Sequence, residues 1–237
     1  MTRLIIGLTG NKGSGKDSFS KALKDIPYNG ENRRRFLSSI KYWQPDPDPM
    51  VLVRIEKMMK MTPSVGFADN LREVCAVAFQ QQIELFTNVE VKDSPALPVT
   101  PCSHLGLEDD PLKTDFTPRD VQREVAETLR AIFPTIWIDP VIKKINGFRE
   151  VNWIVTDLRY PDQAYALKHY TKDSKVVVVN IKRPGFNGDS HVSETSFASI
   201  PHDYMLINDS TLEHFENKCR NLLANIYYKH LTETRVS

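Results

Sequence analysis

The chain has 237 residues, 41% of them apolar and 26% charged, and its 31 Lys and Arg against 30 Asp and Glu leave a net charge of +1. That length gives one domain, or one domain with a large insertion, and buries enough surface to fold without staples. The balanced charge excludes affinity for duplex nucleic acid or an acidic membrane driven by gross charge, but not a local basic pocket. Three scattered cysteines, Cys75, Cys102 and Cys219, argue against a disulfide framework and for a reducing compartment. No apolar run approaches the roughly 20 residues of a membrane span. The first residues lack the basic and apolar regions of a signal peptide, so no leader is expected.

In chain order, residues 3–9 read as a short buried strand. Gly10-Asn11-Lys12-Gly13-Ser14-Gly15 is a tight glycine-rich turn, and Lys16 to Lys24 has helical spacing. Residues 28–62 are mixed. Asp46 to Pro49 alternates Asp and Pro and breaks any helix, and a helix is predicted over 51–61. The run Arg33-Arg34-Arg35 reads as a solvated face. A short strand is predicted from Ser64 to Ala68 and a helix through Leu71 to Phe79. Residues 84–116 read as an irregular excursion. Thr117-Pro118-Arg119 opens a helix to about Phe133, with Thr as N-cap and Pro at the first position. A second helix is expected over 135–145, and residues 152–156 form a strand ending at Asp157. Helix 161–170, a valine-rich strand at 175–181, a polar loop over 184–202, a strand at 204–207 and a helix over 212–228 complete the chain. Strands alternating with helices predict a parallel sheet covered on both faces.

Gly10 to Lys16 has the G-x-x-x-x-G-K spacing, after a strand and before a helix. In that setting the backbone N–H groups of Gly13, Ser14, Gly15, Lys16, Asp17 and Ser18 point inward to hold phosphate oxygens. Glycines let the backbone come close, and Lys16 reaches the terminal phosphates. Asp17 stands where Ser or Thr normally places a hydroxyl on Mg²⁺, so either Asp17 meets the metal or Ser18 takes the hydroxyl role. Thr156-Asp157-Leu158-Arg159 lies at a strand end, where open parallel sheets bind ligands. There an acid organises a metal or nucleophile and an arginine grips phosphate. A strand-end ion pair explains the same residues.

Arg119, Gln122, Arg130 and Trp137 by themselves describe an amphipathic surface helix and its sequel. Beside a phosphate loop they become candidates for a phosphomonoester and a flat base. Lys182-Arg183, with the loop holding His191, Ser193 and Glu194, suits a lid whose cations neutralise a transferring phosphoryl. Cys102 and His104 lack a second ligand pair, so no zinc site is assigned.

Taken in order, these segments resemble the phage-type deoxynucleoside monophosphate kinases, of the P-loop nucleoside monophosphate kinase fold. The resemblance covers nearly the whole chain. It rests on Gly10 to Ser18 with its Gly-Lys-Asp-Ser, Phe67-Ala68-Asp69 with Leu71-Arg72-Glu73, and Thr117-Pro118-Arg119 with Gln122, Glu127, Arg130 and Trp137. Asp157-Leu158-Arg159-Tyr160-Pro161, Arg183-Pro184, His191-x-Ser193-Glu194 and Asn208-Asp209-x-Thr211 complete it. The chain departs from the family at Val125-Ala126, where Gly-Thr is usual, and at Asp162-Gln163, where Asn-Glu is usual. The lost carboxylate at Gln163 bears on nucleotide recognition, because an amide donates as well as accepts. Gly-Lys-Asp and His-x-Ser-Glu also resemble phosphomevalonate kinases of the same broad fold.

The resemblance implies a single three-layer α/β P-loop kinase domain over 1–237, with a parallel sheet of about five strands. Helical insertions at about 28–62 and 83–150 would bind the monophosphate, and a lid would span about 182–200. The implied reaction transfers the γ-phosphoryl of ATP to a deoxynucleoside monophosphate, with Mg²⁺ and without a covalent intermediate. Lys16, Asp157 and Arg183 are the implied catalytic residues. Gly13, Ser14, Gly15, Lys16, Asp17 and Ser18 bind ATP, with Asp17 and Ser18 at the metal. Asp69, Arg72, Arg119, Gln122, Arg130, Trp137, Asp157, Arg159 and Gln163 serve the acceptor. Arg119 is favoured for the acceptor phosphate because helix N-terminal N–H groups also attract anions. A cytoplasmic enzyme is expected, in the host cytoplasm if phage-encoded, without nucleic-acid or membrane partners and with room for a homodimer. The contrasting readings are a phosphomevalonate-kinase-like small-molecule kinase and a non-catalytic nucleotide-binding protein.

Overall fold

The computed structural model describes residues 2–24, 48–88, 91–94, 117–185 and 196–233. By contact the chain divides into two units, one of Met1–Gly66 with Val141–Ser237 and one of Phe67–Pro140.

The first unit is built on a five-stranded sheet in the order β2-β3-β1-β4-β5. Its strands are β1 (Arg3–Thr9), β2 (Ser64–Val65), β3 (Trp153–Val155), β4 (Ser174–Lys182) and β5 (Tyr204–Ile207), and every pairing is parallel. All seven residues of β1 are buried, as expected for a central parallel strand with both faces covered. Alternate side chains go to opposite faces. Leu4, Ile6 and Leu8 of β1 and Val177, Val179 and Ile181 of β4 face one core. Against them pack Phe19 and Ala22 of α1 (Lys16–Lys24), the apolar side of α2 (Pro49–Lys60), and Phe215, Cys219, Leu223 and Tyr227 of α8 (Leu212–Glu233). The opposite face receives Leu158 and Leu167, which lie 3.0 and 3.8 Å from where a Cβ on Gly7 would stand. Leu167 belongs to α7 (Pro161–Tyr170), and α6 (Asp139–Gly147) adds buried Val141 and Ile145. Helices therefore cover both faces of the sheet.

Helix α2 falls within the stretch 28–62 read as an insertion. Its Val51, Leu52, Ile55 and Met59 are buried in the main core. At about 1.5–3 kcal/mol of gross transfer free energy per buried side chain, four such residues rival the ~5–15 kcal/mol net stability of a domain. This helix is structural, and the rest of that stretch lies outside the described residues.

The second unit contains α3 (Asp69–Ala78), the short α4 (Glu84–Thr87) and α5 (Pro118–Ile132). Leu71, Cys75, Ala76, Phe86, Val121 and Trp137 form its core. Helix α5 begins as its sequence dictates. The Thr117 hydroxyl accepts from the Asp120 N–H, and the Asp120 carboxylate accepts in return from the Thr117 N–H. That hydroxyl also donates to the Asp120 carboxylate, which holds its pKa below the ordinary value.

Several boundaries differ from those expected. Strand β2 stops at Val65, because its partner β3 stops at the paired Val155. Helix α4 interrupts the stretch read as irregular and buries Phe86. Helix α6 starts at Asp139 and not at 135, since Pro140 lacks an N–H and is tolerated only in a first turn. Helix α8 runs on to Glu233 because His230 and Leu231 are still buried. Among the described residues, no helix is long and apolar enough to cross a membrane. Cys75 and Cys219 are free and buried, and burial pushes the Cys75 thiol up to about 11.

Candidate functional site

Between the end of β1 and the start of α1 the backbone turns through three glycines at positive φ: Gly10 at 138°, Gly13 at 73° and Gly15 at 111°. Side chains are excluded there by space as well as by dihedral. A Cβ on Gly10 would stand 2.2 Å from the Ile181 carbonyl oxygen of β4, and one on Gly15 would stand 2.6 Å from the Phe215 ring. The turn is tied down from the neighbouring strands. The Asn208 side chain, just past β5, donates to the Ser14 carbonyl at 2.9 Å, while the Asn208 N–H donates to the Lys182 carbonyl at 2.7 Å. The Arg183 guanidinium reaches from the end of β4 to the Gly13 carbonyl at 3.3 Å.

Lys16 folds back over this turn. Its ammonium donates to the carbonyls of Gly10 at 2.6 Å and Asn11 at 2.7 Å. Ser14 is buried and its N–H is given to the Asn11 carbonyl. Among the described residues, the N–H groups of Gly13, Gly15, Asp17 and Ser18 have no hydrogen-bond acceptor. The first turn of α1 therefore presents several unclaimed donors in one place, with the positive end of the helix dipole behind them.

The sheet topology puts this turn at a crevice. From β1 the chain continues toward β2 at one edge, and from β4 it continues to β5 at the other. The connections leave in opposite directions between the carboxyl ends of β1 and β4, the place where open parallel sheets bind ligands. Asp157 arrives beside it from β3. Val155 pairs with Gly7, and the Leu158 N–H donates to the Leu8 carbonyl at 3.0 Å, which holds Asp157 next to the exit of β1. Asp157 is buried, Asp17 is exposed and Ser18 is half-buried. No cluster of three or more His, Cys, Asp or Glu among the described residues forms a metal cage. Mg²⁺ needs none, because one or two protein oxygens with phosphates and waters complete its shell. The oxygens of Asp17, Ser18 and Asp157 fit that requirement.

Gln163 has a structural role in addition to the recognition role expected of it. It is 5% exposed, and its side-chain oxygen accepts from the N–H groups of Arg159 at 2.9 Å and Tyr160 at 3.1 Å. It closes the turn from β3 into α7. A glutamate would accept the same two hydrogen bonds, so the exchange of Glu for Gln leaves this turn-closing function intact.

In the second unit the candidate acceptor residues are engaged locally. Arg72 donates to the Asp69 carboxylate at 2.8 Å, one turn away on α3. The Arg119 guanidinium makes a two-pronged pair with the Asp93 carboxylate, its Nη2 bond measuring 3.2 Å. Gln122 donates to the Phe86 carbonyl at 2.8 Å. Trp137 is 8% exposed within the core, and its indole N–H donates to the Ala126 carbonyl at 3.2 Å; it is packing, not a wall presented to a base. Arg130 lies half-buried in the last turn of α5.

The expectation that free N–H groups at the start of α5 attract the acceptor phosphate is overturned. Pro118 has no N–H, the Arg119 N–H donates to the Lys92 carbonyl, the Asp120 N–H to the Thr117 hydroxyl and the Val121 N–H to the Thr117 carbonyl. The capping sequence that starts the helix also consumes its donors. Helix α1, with glycines in place of a cap, leaves its donors open.

Sequence reasoning assigned no role to Asn208 or Asp93. Asn208 carries a local signal, an amide side chain one residue past the carboxyl end of a strand. Asp93 carries none, because its pairing with Arg119 spans 26 residues. The remaining candidates, Arg33, Arg34, Arg35, Cys102, His104, and the lid residues His191, Ser193 and Glu194, lie outside the described residues. No family model and no curated protein matches the chain.

Proposed function

We propose that the chain is an ATP-dependent kinase of the P-loop nucleoside monophosphate kinase type, acting on a deoxynucleoside monophosphate to give the diphosphate and ADP. The observation that carries this reading is the Gly10–Ser18 segment. Unclaimed amides, a lysine and positive-φ glycines converge at the crevice between β1 and β4. That combination is a receptor for the phosphate chain of a nucleotide. The family resemblance of the ordered motifs supplies the acceptor class.

In this reading the amides of Gly13, Gly15, Asp17 and Ser18 hold the donor phosphates. Lys16 leaves its two carbonyl partners and moves onto the terminal phosphates. Those carbonyls hold the ammonium beside the turn until the nucleotide arrives. Asp17, Ser18 and Asp157 would hold Mg²⁺, which when bound neutralises charge on the phosphates. Arg183, held at the Gly13 carbonyl, would supply positive charge to the phosphoryl in flight. The acceptor is an anion already, so the protein's task is alignment and charge neutralisation. Arg72, Arg119, Arg130 and Arg159 are the cations for the acceptor.

A coupled assay of ADP formation, run with a panel of ribo- and deoxynucleoside monophosphates and with phosphomevalonate, tests this. Transfer to one or more deoxynucleoside monophosphates is the expected result. Transfer to phosphomevalonate alone would replace the acceptor class. ATP binding without transfer to any acceptor would leave a nucleotide-binding protein that is not a kinase.

A further inference from the structure

Among the candidate acceptor residues, Arg119 has a guanidinium that already holds an anion in two-pronged fashion. Its Nε and Nη2 both donate to the Asp93 carboxylate, the geometry in which arginine also takes a phosphate. The pair is asymmetric in exposure. The Arg119 side chain is 14% exposed and that of Asp93 is 44% exposed. The arginine is fixed from within, whereas the aspartate approaches it from the solvent side. Asp93 sits on a turn bound by Lys92 N–H to the Asn88 carbonyl and Ser94 N–H to the Val91 carbonyl. The same turn covers the start of α5, through the Lys92 carbonyl on the Arg119 N–H. The backbone donors at that end being used, the guanidinium fork is what Arg119 has to offer a phosphate, and Asp93 lies in it.

We infer that Asp93 is a built-in competitor for the acceptor phosphate: the 91–94 turn occupies the Arg119 fork when no acceptor is bound, and the acceptor must displace its carboxylate. This inference rests on the assignment of Arg119 to the acceptor in the proposed function. A dianionic phosphate wins the exchange because it brings more charge to the same donors. A neutral or singly charged ligand does not. Asp93 therefore lowers the affinity for every acceptor while selecting for the phosphorylated one.

The test is calorimetric titration of deoxynucleoside monophosphates, and separately of a non-hydrolysable ATP analogue, into the wild-type chain and the variants Asp93→Asn, Asp93→Glu and Arg119→Ala. Asp93→Asn is expected to tighten monophosphate binding by about two- to fivefold, the worth of an ion pair open on one side. Asp93→Glu should return affinity toward the wild-type value, and the ATP analogue should bind all four proteins alike. Equal or weaker monophosphate binding by Asp93→Asn, with Arg119→Ala weakened, would overturn the competitor role and leave Arg119 as an acceptor residue that Asp93 merely positions. Unchanged binding in Arg119→Ala, or no monophosphate binding by the wild-type chain, would overturn both the inference and the assignment beneath it.

Discussion

Gly10→Ala isolates the geometric demand that the glycine-rich turn makes on the sheet. Its methyl group would be placed 2.2 Å from the Ile181 carbonyl oxygen, far inside any carbon–oxygen contact. That oxygen belongs to the backbone of β4, which is paired to β1 from Arg3↔Ser174 to Thr9↔Asn180. It cannot rotate away as a side-chain end would. Either β1 and β4 separate at their carboxyl ends, or the turn shifts and loses its tie to Asn208. The residue must also adopt φ of 138°, which costs an L side chain about 1–3 kcal/mol. Forcing one extra methyl into close-packed surroundings costs about 1–3 kcal/mol more. The sum of about 2–6 kcal/mol is a large fraction of a domain's net stability. Gly185→Ala provides the comparison, because Gly185 also has positive φ, at 78°, but a Cβ there meets nothing within 4 Å among the described residues. It should lose the backbone component alone. Urea unfolding of both variants and the wild type, read as midpoint shifts at constant slope, separates the two contributions. If Gly10→Ala unfolds at the same urea concentration as Gly185→Ala, the close approach of the turn to β4 is not a constraint, and the account of why glycine stands at position 10 fails.

Lys16→Ala should lower turnover by about 10²–10³, the loss seen when a charge-stabilising donor is removed, with an unchanged urea midpoint; a folded variant with near-normal turnover would refute the role given to Lys16. Gln163→Leu should cost about 1–3 kcal/mol by stranding the Arg159 and Tyr160 N–H groups, whereas Gln163→Glu should keep both stability and acceptor profile; a changed profile in Gln163→Glu would return this residue to nucleotide recognition. His230 is buried, and desolvation holds its pKa below the ordinary value, offset in part by a hydrogen bond that the imidazole donates to the Thr2 backbone carbonyl and by Glu233, and reinforced by Lys175. The folded chain thus prefers the neutral imidazole, so this contribution is complete above the unfolded pKa of 6.5 and is lost as pH falls toward the folded value. Urea midpoints of wild type and His230→Phe between pH 7 and 5 should converge as the wild type weakens, and a wild-type midpoint that rises over that range would contradict the sign.

The sheet and the glycine-rich turn after β1 were legible in the sequence because both are written locally. A run of buried β-branched residues marks β4, and strand, glycine turn, Lys16 and helix follow without interruption at the β1–α1 junction. Thr117-Pro118 announced α5 for the same reason. What local pattern could not convey is which polar groups are already spent. Gln163 reads as a recognition residue, and nothing local records that its oxygen already accepts from two backbone N–H groups of the preceding turn. Trp137 looked like a wall for a base, but the core of the second unit claims it. The pairing of Arg119 with Asp93 joins segments far apart in sequence, and no periodicity records it. The start of α5 shows the limit most clearly: the residues that predict a helix there are the ones that use up its N–H donors.

The contrast between the starts of α1 and α5 also bears on what the two units do. A helix N-terminus is an anion site only while its donors are unclaimed. At α1 the chain keeps them unclaimed at a cost, with three glycines in conformations that other residues avoid and no capping side chain. Stability alone would favour a Ser, Thr or Asp cap, worth about 1 kcal/mol, and the chain has such a cap at α5. The missing cap at α1 is therefore a local sacrifice of stability, and such sacrifices collect at functional sites. In the second unit the cations carry the opposite mark. Arg72 and Arg119 are each held by a nearby carboxylate, and under the proposed function an acceptor anion would have to displace it. Under the proposed function, an open donor site and charge-compensated acceptor cations would make a protein that takes its first phosphate chain readily and tests its second anion by exchange.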